Sequence, residues 1–156
     1  MSLFRTKEQQ KDLQLYEESV RETNLRLQKV IENLIDVGVD WSGRIPLSNK
    51  CNGSGIGTSR GVYKVMDSYG HVVYYGEGKI TQRIVVCCRV FLNKGEMIGG
   101  NQYPAAKKMY QENPDISNWF FSYFIVDKQI GKGLEKFLID QDSPRFNLRT
   151  QAGAKV

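Results

Sequence analysis

Leu13, Tyr16, Val20, Thr23, Leu27, Val30, Leu34 and Val37 follow one another in alternating steps of three and four. That spacing draws a single stripe along a helix that packs lengthwise on another helix, with Thr23 as its one weak position. Thr6 and Gln9 have capping-box spacing, no proline interrupts, and Gly38 suits a C-terminal stop, so one long helix is expected from Thr6 to Gly38. At 1.5 Å per residue it would be about 46 Å long, against about 35 Å for a compact domain made from the rest. Part of it should overhang or meet a second chain. The alternative is a break near Thr23-Asn24 that folds the second half back.

Residues 41–59, WSGRIPLSNKCNGSGIGTS, keep neither period and are rich in Gly, Ser and Asn; they read as loop, with a short strand at Arg44–Leu47. The GSGIG run lacks both a preceding buried strand and the Gly-Lys-Ser/Thr ending of a phosphate loop, so no nucleotide cofactor is expected. Gly61–Asp67 and His71–Gly76 are apolar, β-branched runs joined by Ser68-Tyr69-Gly70, the pattern of an antiparallel hairpin. Lys79–Leu92 has helical character, and a second helix opens with Pro104 in its first turn and ends before Pro114. Trp119–Val126 is apolar and aromatic enough to be the buried centre of the sheet. Gly133–Asp140 reads as a last short helix before the extended SPRFNLR. The class is α+β, divided into a helical extension (1–40), a loop (41–59) and a domain (60–156).

Composition narrows the class. A hydrophobic share of 40% with 25% charged residues is that of a soluble globular protein. No run approaches the roughly 20 apolar residues of a membrane span, and there is no signal-peptide pattern, so the protein is expected in the cytoplasm. Cys51, Cys87, Cys88 and the single His71 make neither a metal-ligand spacing nor an even disulfide set, which argues against zinc. Charge is uneven: residues 1–40 carry six Lys/Arg and eight Asp/Glu, −2, while residues 41–156 carry sixteen and nine, +7. A basic domain of this kind favours a polyanionic partner, because each cation set on a phosphate releases counterions.

The chemistry-bearing residues then fall into one order. Gly61-Val62-Tyr63, ten residues, Tyr74-Tyr75-Gly76, Arg83 on the next helix, Glu135 within GLEKFLI and Asn147 within SPRFN together resemble the GIY-YIG nuclease superfamily over about residues 60–150. The resemblance implies a small three-stranded antiparallel sheet flanked by helices, and metal-dependent hydrolysis of DNA phosphodiesters. Hydrolysis needs an oriented water, a group to take its proton, and positive charge for the transition state. On this resemblance Tyr63 and Tyr74 bring two phenol oxygens together, and either is the base. Since a free tyrosine has a pKa near 10, nearby cations must favour the phenolate, and Arg83 and Lys79 are the candidates. Glu135 would be the single protein carboxylate on Mg²⁺ or Mn²⁺, and Asn147 would orient water or a neighbouring side chain. Strand alternation turns Tyr75 to the opposite face, into packing. His71 belongs to the hairpin turn.

Two departures from the family pattern stand out. Many members carry histidine or tyrosine one helical turn after the arginine, where this chain has Cys87, and the step from Gly76 to Arg83 is one residue shorter than in several relatives. The expectation is a DNA endonuclease that forms a homodimer through its helical extension, similar to restriction or phage DNA-degrading enzymes. Homing relatives carry a separate DNA-binding domain that is not legible here. Target choice would come from the extension, the 41–59 loop or the NKGEMIGGNQ loop at 93–102. The rivals are a non-catalytic DNA-binding or assembly module that keeps the fold, and an RNA-binding or RNA-cleaving domain.

Overall fold

The computed structural model describes residues 6–53, 55–97 and 103–147. The chain divides into two units, one ending at Gly38 and one beginning at Val39.

The first unit is a single helix, α1 (Lys7–Val37), and it does not break at Thr23. The Thr6 hydroxyl accepts from the Gln9 N–H at 3.1 Å while the Gln9 side chain accepts from the Thr6 N–H at 2.9 Å, a complete capping box. Gly38, at φ 96°, donates its N–H to the Leu34 carbonyl and ends the helix. Within the continuous helix the Thr23 hydroxyl bonds back to the Ser19 carbonyl at 2.9 Å, so it has a partner without leaving the helix. No residue of α1 is buried, and Leu13, Tyr16, Val20, Val30 and Val37 of the apolar stripe are exposed.

The second unit is an antiparallel sheet flanked by helices. Its strands are β1 (Ile45–Pro46), β2 (Arg60–Met66), β3 (Val72–Lys79) and β4 (Phe120–Ile125), in the order β1-β4-β2-β3. The sheet therefore has four strands rather than the expected three, because Ile45 and Pro46, within the segment read as a short strand, pair with Phe121 and Phe120. Its interior strands are β4 and β2, so the aromatic Trp119–Val126 run does lie inside the sheet, with Trp119 and Phe121 buried. β2 is paired along its length on both sides, whereas β4 meets only two residues of β1, and Ile125 at its end is exposed.

The β2–β3 hairpin turns at Asp67, whose carboxylate accepts from the N–H groups of Tyr69 and His71, both at 3.0 Å, with Gly70 at φ 85°. Its register sets Tyr63 opposite Gly76 and Gly61 opposite Gly78. The glycines of the two triplets have a steric cause. A Cβ on Gly76 would collide with the Tyr63 ring, and one on Gly61 with the backbone carbonyl of Phe124 on β4.

Helices α2 (Ile80–Leu92) and α3 (Pro104–Glu112) cover the sheet face that carries Tyr63, Val65 and Tyr74, forming a core with Ile80, Ile84, Met109, Trp119 and Phe121. Helix α4 (Lys128–Asp142) lies on the other face, where Gly131 packs beside Glu77 and Val62. It begins five residues earlier than the expected Gly133, since the Asp127 carboxylate accepts from the Ile130 N–H at 3.1 Å and caps it. The stretch after it is not extended: Arg145–Asn147 is a 3-10 turn.

The 41–59 segment is more than loop. Leu47 opens a 3-10 turn, Leu47–Lys50, and is fully buried. Cys51 is disulfide-bonded to Cys88 of α2 across 5.4 Å between Cα atoms. The three cysteines are thus no even set: two pair and Cys87 is left a free thiol. Of the 93–102 loop, residues 98–102 lie outside the described residues. Among the described residues no helix is long and apolar enough to cross a membrane.

Candidate active site

A cleft of 290 Å³ opens where the end of β3 runs into α2 and meets α4. Of the six residues singled out in the sequence, Tyr63, Tyr74, Lys79, Arg83 and Glu135 line it, joined by Arg60, Glu77, Gly78 and Gln82. Asn147 does not. It is buried, accepts from the Tyr75 N–H at 2.9 Å and donates to the Tyr75 carbonyl at 3.1 Å. Both halves of its amide are thus committed to the free edge of β3, where they act as one extra rung of the ladder. Asn147 holds the strand that carries Tyr74.

One wall is aromatic. Tyr63 is fully buried, its hydroxyl is 2.7 Å from that of Tyr103, and the Tyr74 ring lies 6.1 Å from Tyr63 and 5.7 Å from Tyr103. The Arg83 guanidinium sits 4.5 Å above the Tyr103 ring. Arg83 was expected to favour a phenolate. Burial instead drives Tyr63 well above the ordinary tyrosine range, Tyr74 adds to this, and the opposing pull of Arg83 and Tyr103 is smaller. Tyr63 is a neutral phenol in the resting protein. Burial likewise raises Tyr103, with Tyr63 next in effect. Cys87, one turn beyond Arg83, is pushed up to about 12 by burial and stays a thiol.

The other wall is ionic. Arg60 grips Glu77 through Nε at 2.6 Å and a second nitrogen at 3.3 Å, and the Glu77 side chain is only 4% exposed. Glu135, half-buried on α4, is raised to about 7 by burial and then by Glu77, against weaker pulls from Lys132, Arg83 and the Glu77 backbone N–H. Lys79, the last residue of β3, is exposed at the mouth.

Tyr75 faces away from Tyr74 as alternation requires: its hydroxyl bonds Asp142 of α4, and its ring stacks on Trp41. His71 is exposed at the hairpin turn, 3.6 Å from Asp67.

Sequence reasoning missed Arg60, Glu77 and Tyr103. The first two had a signal, because pairing Tyr63 with Gly76 puts Val62 opposite Glu77 and leaves Arg60 on its diagonal. Tyr103 had none: it precedes α3 without a side-chain capping bond, twenty residues after Arg83.

Among the described residues no group of three or more His, Cys, Asp or Glu side chains is arranged to hold a metal ion. The donors present suit a hard cation that takes one carboxylate and fills its other positions with water and phosphate oxygens. Crowding of Glu135 by Glu77 is the kind of negative charge such an ion relieves. No protein-family model matches this chain, and no curated protein matches it.

Proposed function

We propose that the second unit is a metal-dependent DNA endonuclease domain of GIY-YIG type. One observation carries this reading: Tyr63, Tyr74, Arg83 and Glu135, spread over 73 residues of chain, converge on one cleft in the order and on the elements that the resemblance requires. Lys79 and Arg83 supply cations for a phosphodiester, and the +7 charge of residues 41–156 favours a polyanion over a neutral substrate.

Glu135 would hold Mg²⁺ or Mn²⁺, which would supply positive charge to a phosphate and lower the pKa of a bound water. Arg83 is anchored on the Tyr103 ring and presents its charge to the phosphate without having to be ordered first. Tyr74, half-buried and lining the cleft, is the phenol placed to meet a water from solvent. Tyr63, neutral and fixed by its hydrogen bond, orients that water or the phosphate rather than taking a proton from the resting state. Glu77 is engaged by Arg60 through two hydrogen bonds, which leaves Glu135 as the carboxylate open to a cation.

Each such site cuts one strand, so a double-strand cut calls for two. The exposed apolar stripe of α1 supports a homodimer formed by pairing two copies of that helix. The test is incubation with mixed plasmid and phage DNA plus Mg²⁺ or Mn²⁺, followed by sequencing of the ends. Metal-dependent ends that vanish in Glu135→Gln are expected. Binding without cleavage under all metals would favour a binding module, and cleavage of RNA alone an RNA-directed domain.

A further inference from the structure

The site has a third hydroxyl that comes from an unexpected element. Helix α2 offers Cys87 one turn beyond Arg83, and Cys87 is buried, with no oxygen to donate or accept. The space beside it is taken by Tyr103, which enters from the N-terminal end of α3. Several contacts fix that entry. The Tyr103 N–H donates to the Met97 sulfur at 3.2 Å, Pro104 starts the helix, and buried Ala105, Ala106 and Met109 pack α3 on α2. The side chain, 1% exposed, then reaches Tyr63 through its hydroxyl, Arg83 through its ring face and Tyr74 through ring contact.

We propose that Tyr103 is the positioning residue of this cleft, orienting the Tyr63 phenol and the Arg83 guanidinium together in place of a hydrogen-bonding group on α2. Tyr103 does not itself line the cleft, so it acts through those two neighbours. The Tyr63 hydroxyl is shared between Tyr103 and Arg83, and removing the Tyr103 oxygen leaves Arg83 as its one remaining hydrogen-bond partner among the described residues, so the phenol is held from one side only. This inference rests on the endonuclease reading for its consequence in rate, but not for the hydroxyl pair itself.

The test is Tyr103→Phe, which keeps the ring under Arg83 and deletes only the oxygen. Nuclear magnetic resonance of protein carrying ¹³Cζ-tyrosine reads the Tyr63 phenol directly. Its signal should shift in the variant, and in the unmutated chain the Tyr63 hydroxyl proton should exchange slowly and lie close to Tyr103. In cleavage assays kcat should fall about 10- to 100-fold with KM within about twofold, while Cys87→Ala should stay within about twofold of the unmutated rate. Tyr103→Phe with an unchanged Tyr63 signal and unchanged kcat would overturn the assignment, as would a rate loss in Cys87→Ala equal to that in Tyr103→Phe. If the unmutated chain cuts no DNA, the endonuclease reading falls, and the Tyr63 signal alone decides the role of Tyr103. Should the variant fail to fold, the exchange and proximity of the Tyr63 hydroxyl in the unmutated chain decide it: fast exchange with no proximity overturns the pair.

Discussion

The two walls of the cleft reach their charge states beside different neighbours. On the aromatic wall burial dominates: Tyr63 and Tyr103 are enclosed, bond to each other, and remain neutral beside Arg83. On the ionic wall Arg60 grips the Glu77 side chain, while Glu135 is raised to about 7 by burial and then by Glu77. Burial is the largest cause on both walls, and the neighbours differ: phenols around Tyr63, a carboxylate beside Glu135. Under the proposed endonuclease reading this is a division of labour, with fixed neutral phenols on one side and an adjustable carboxylate on the other.

The largest effect that would break this contrast is on the aromatic wall. Tyr63→Phe should lower kcat by about two to three orders of magnitude, since a positioned donor is lost and the Tyr103 hydroxyl is stranded. Raising Mn²⁺ should not rescue it, because the cation wall is intact; rescue would mean that Tyr63 acts through metal binding. Next comes the strand that both walls share. Asn147→Ala removes both bonds to the Tyr75 backbone. Urea unfolding should then show a loss of about 2–4 kcal/mol. A variant with full stability but reduced rate would return Asn147 to a direct role in the chemistry.

A third effect sharpens the ionic side. Because burial and Glu77 raise Glu135 to about 7, the folded state holds its proton more tightly than the unfolded chain does. Its contribution to stability is fully present below the ordinary carboxylate range and is lost as pH rises through about 7. Thermal melts without divalent metal should record that loss as roughly 1–2 kcal/mol, allowing for water that reaches the half-buried group. Cleavage should run the other way, rising with pH over the same interval and shifting to lower pH as Mg²⁺ increases, because the cation competes with the proton. A pH-independent rate across this range would contradict the assignment. The smallest effect concerns affinity without chemistry: DNA binding in chelator should weaken steadily with salt in proportion to the phosphates neutralised, and filter binding at several salt concentrations reads it.

How much of this was legible depended on the range of the interactions. Helix α1 was readable almost to the residue, because its capping box, its Gly38 stop and its apolar stripe are all local. The hairpin and the Pro104 start of α3 were readable for the same reason. What the sequence hid were pairings between distant segments: the pairing of the Ile45 strand with β4, the Cys51–Cys88 bond and the meeting of Tyr63 with Tyr103. Neighbouring cysteines of odd number do not say which one has a partner, and nothing near Tyr103 marks a tyrosine whose role is set by how α3 packs. Five of the six candidate site residues do share one cleft. The sequence leaves open which tyrosine is the base; counting nearby cations omits the cost of burial, which at Tyr63 exceeds the help from Arg83.

The most direct measurement is DNA cleavage by the unmutated chain and by Glu135→Gln, side by side in Mg²⁺, with binding measured in chelator. The glutamine keeps the size of the side chain and removes the charge that holds the cation. The account predicts cleavage by the unmutated chain, a loss of about two to four orders of magnitude in the variant with partial recovery in Mn²⁺, and DNA binding that is retained. Equal cleavage by both proteins would contradict it.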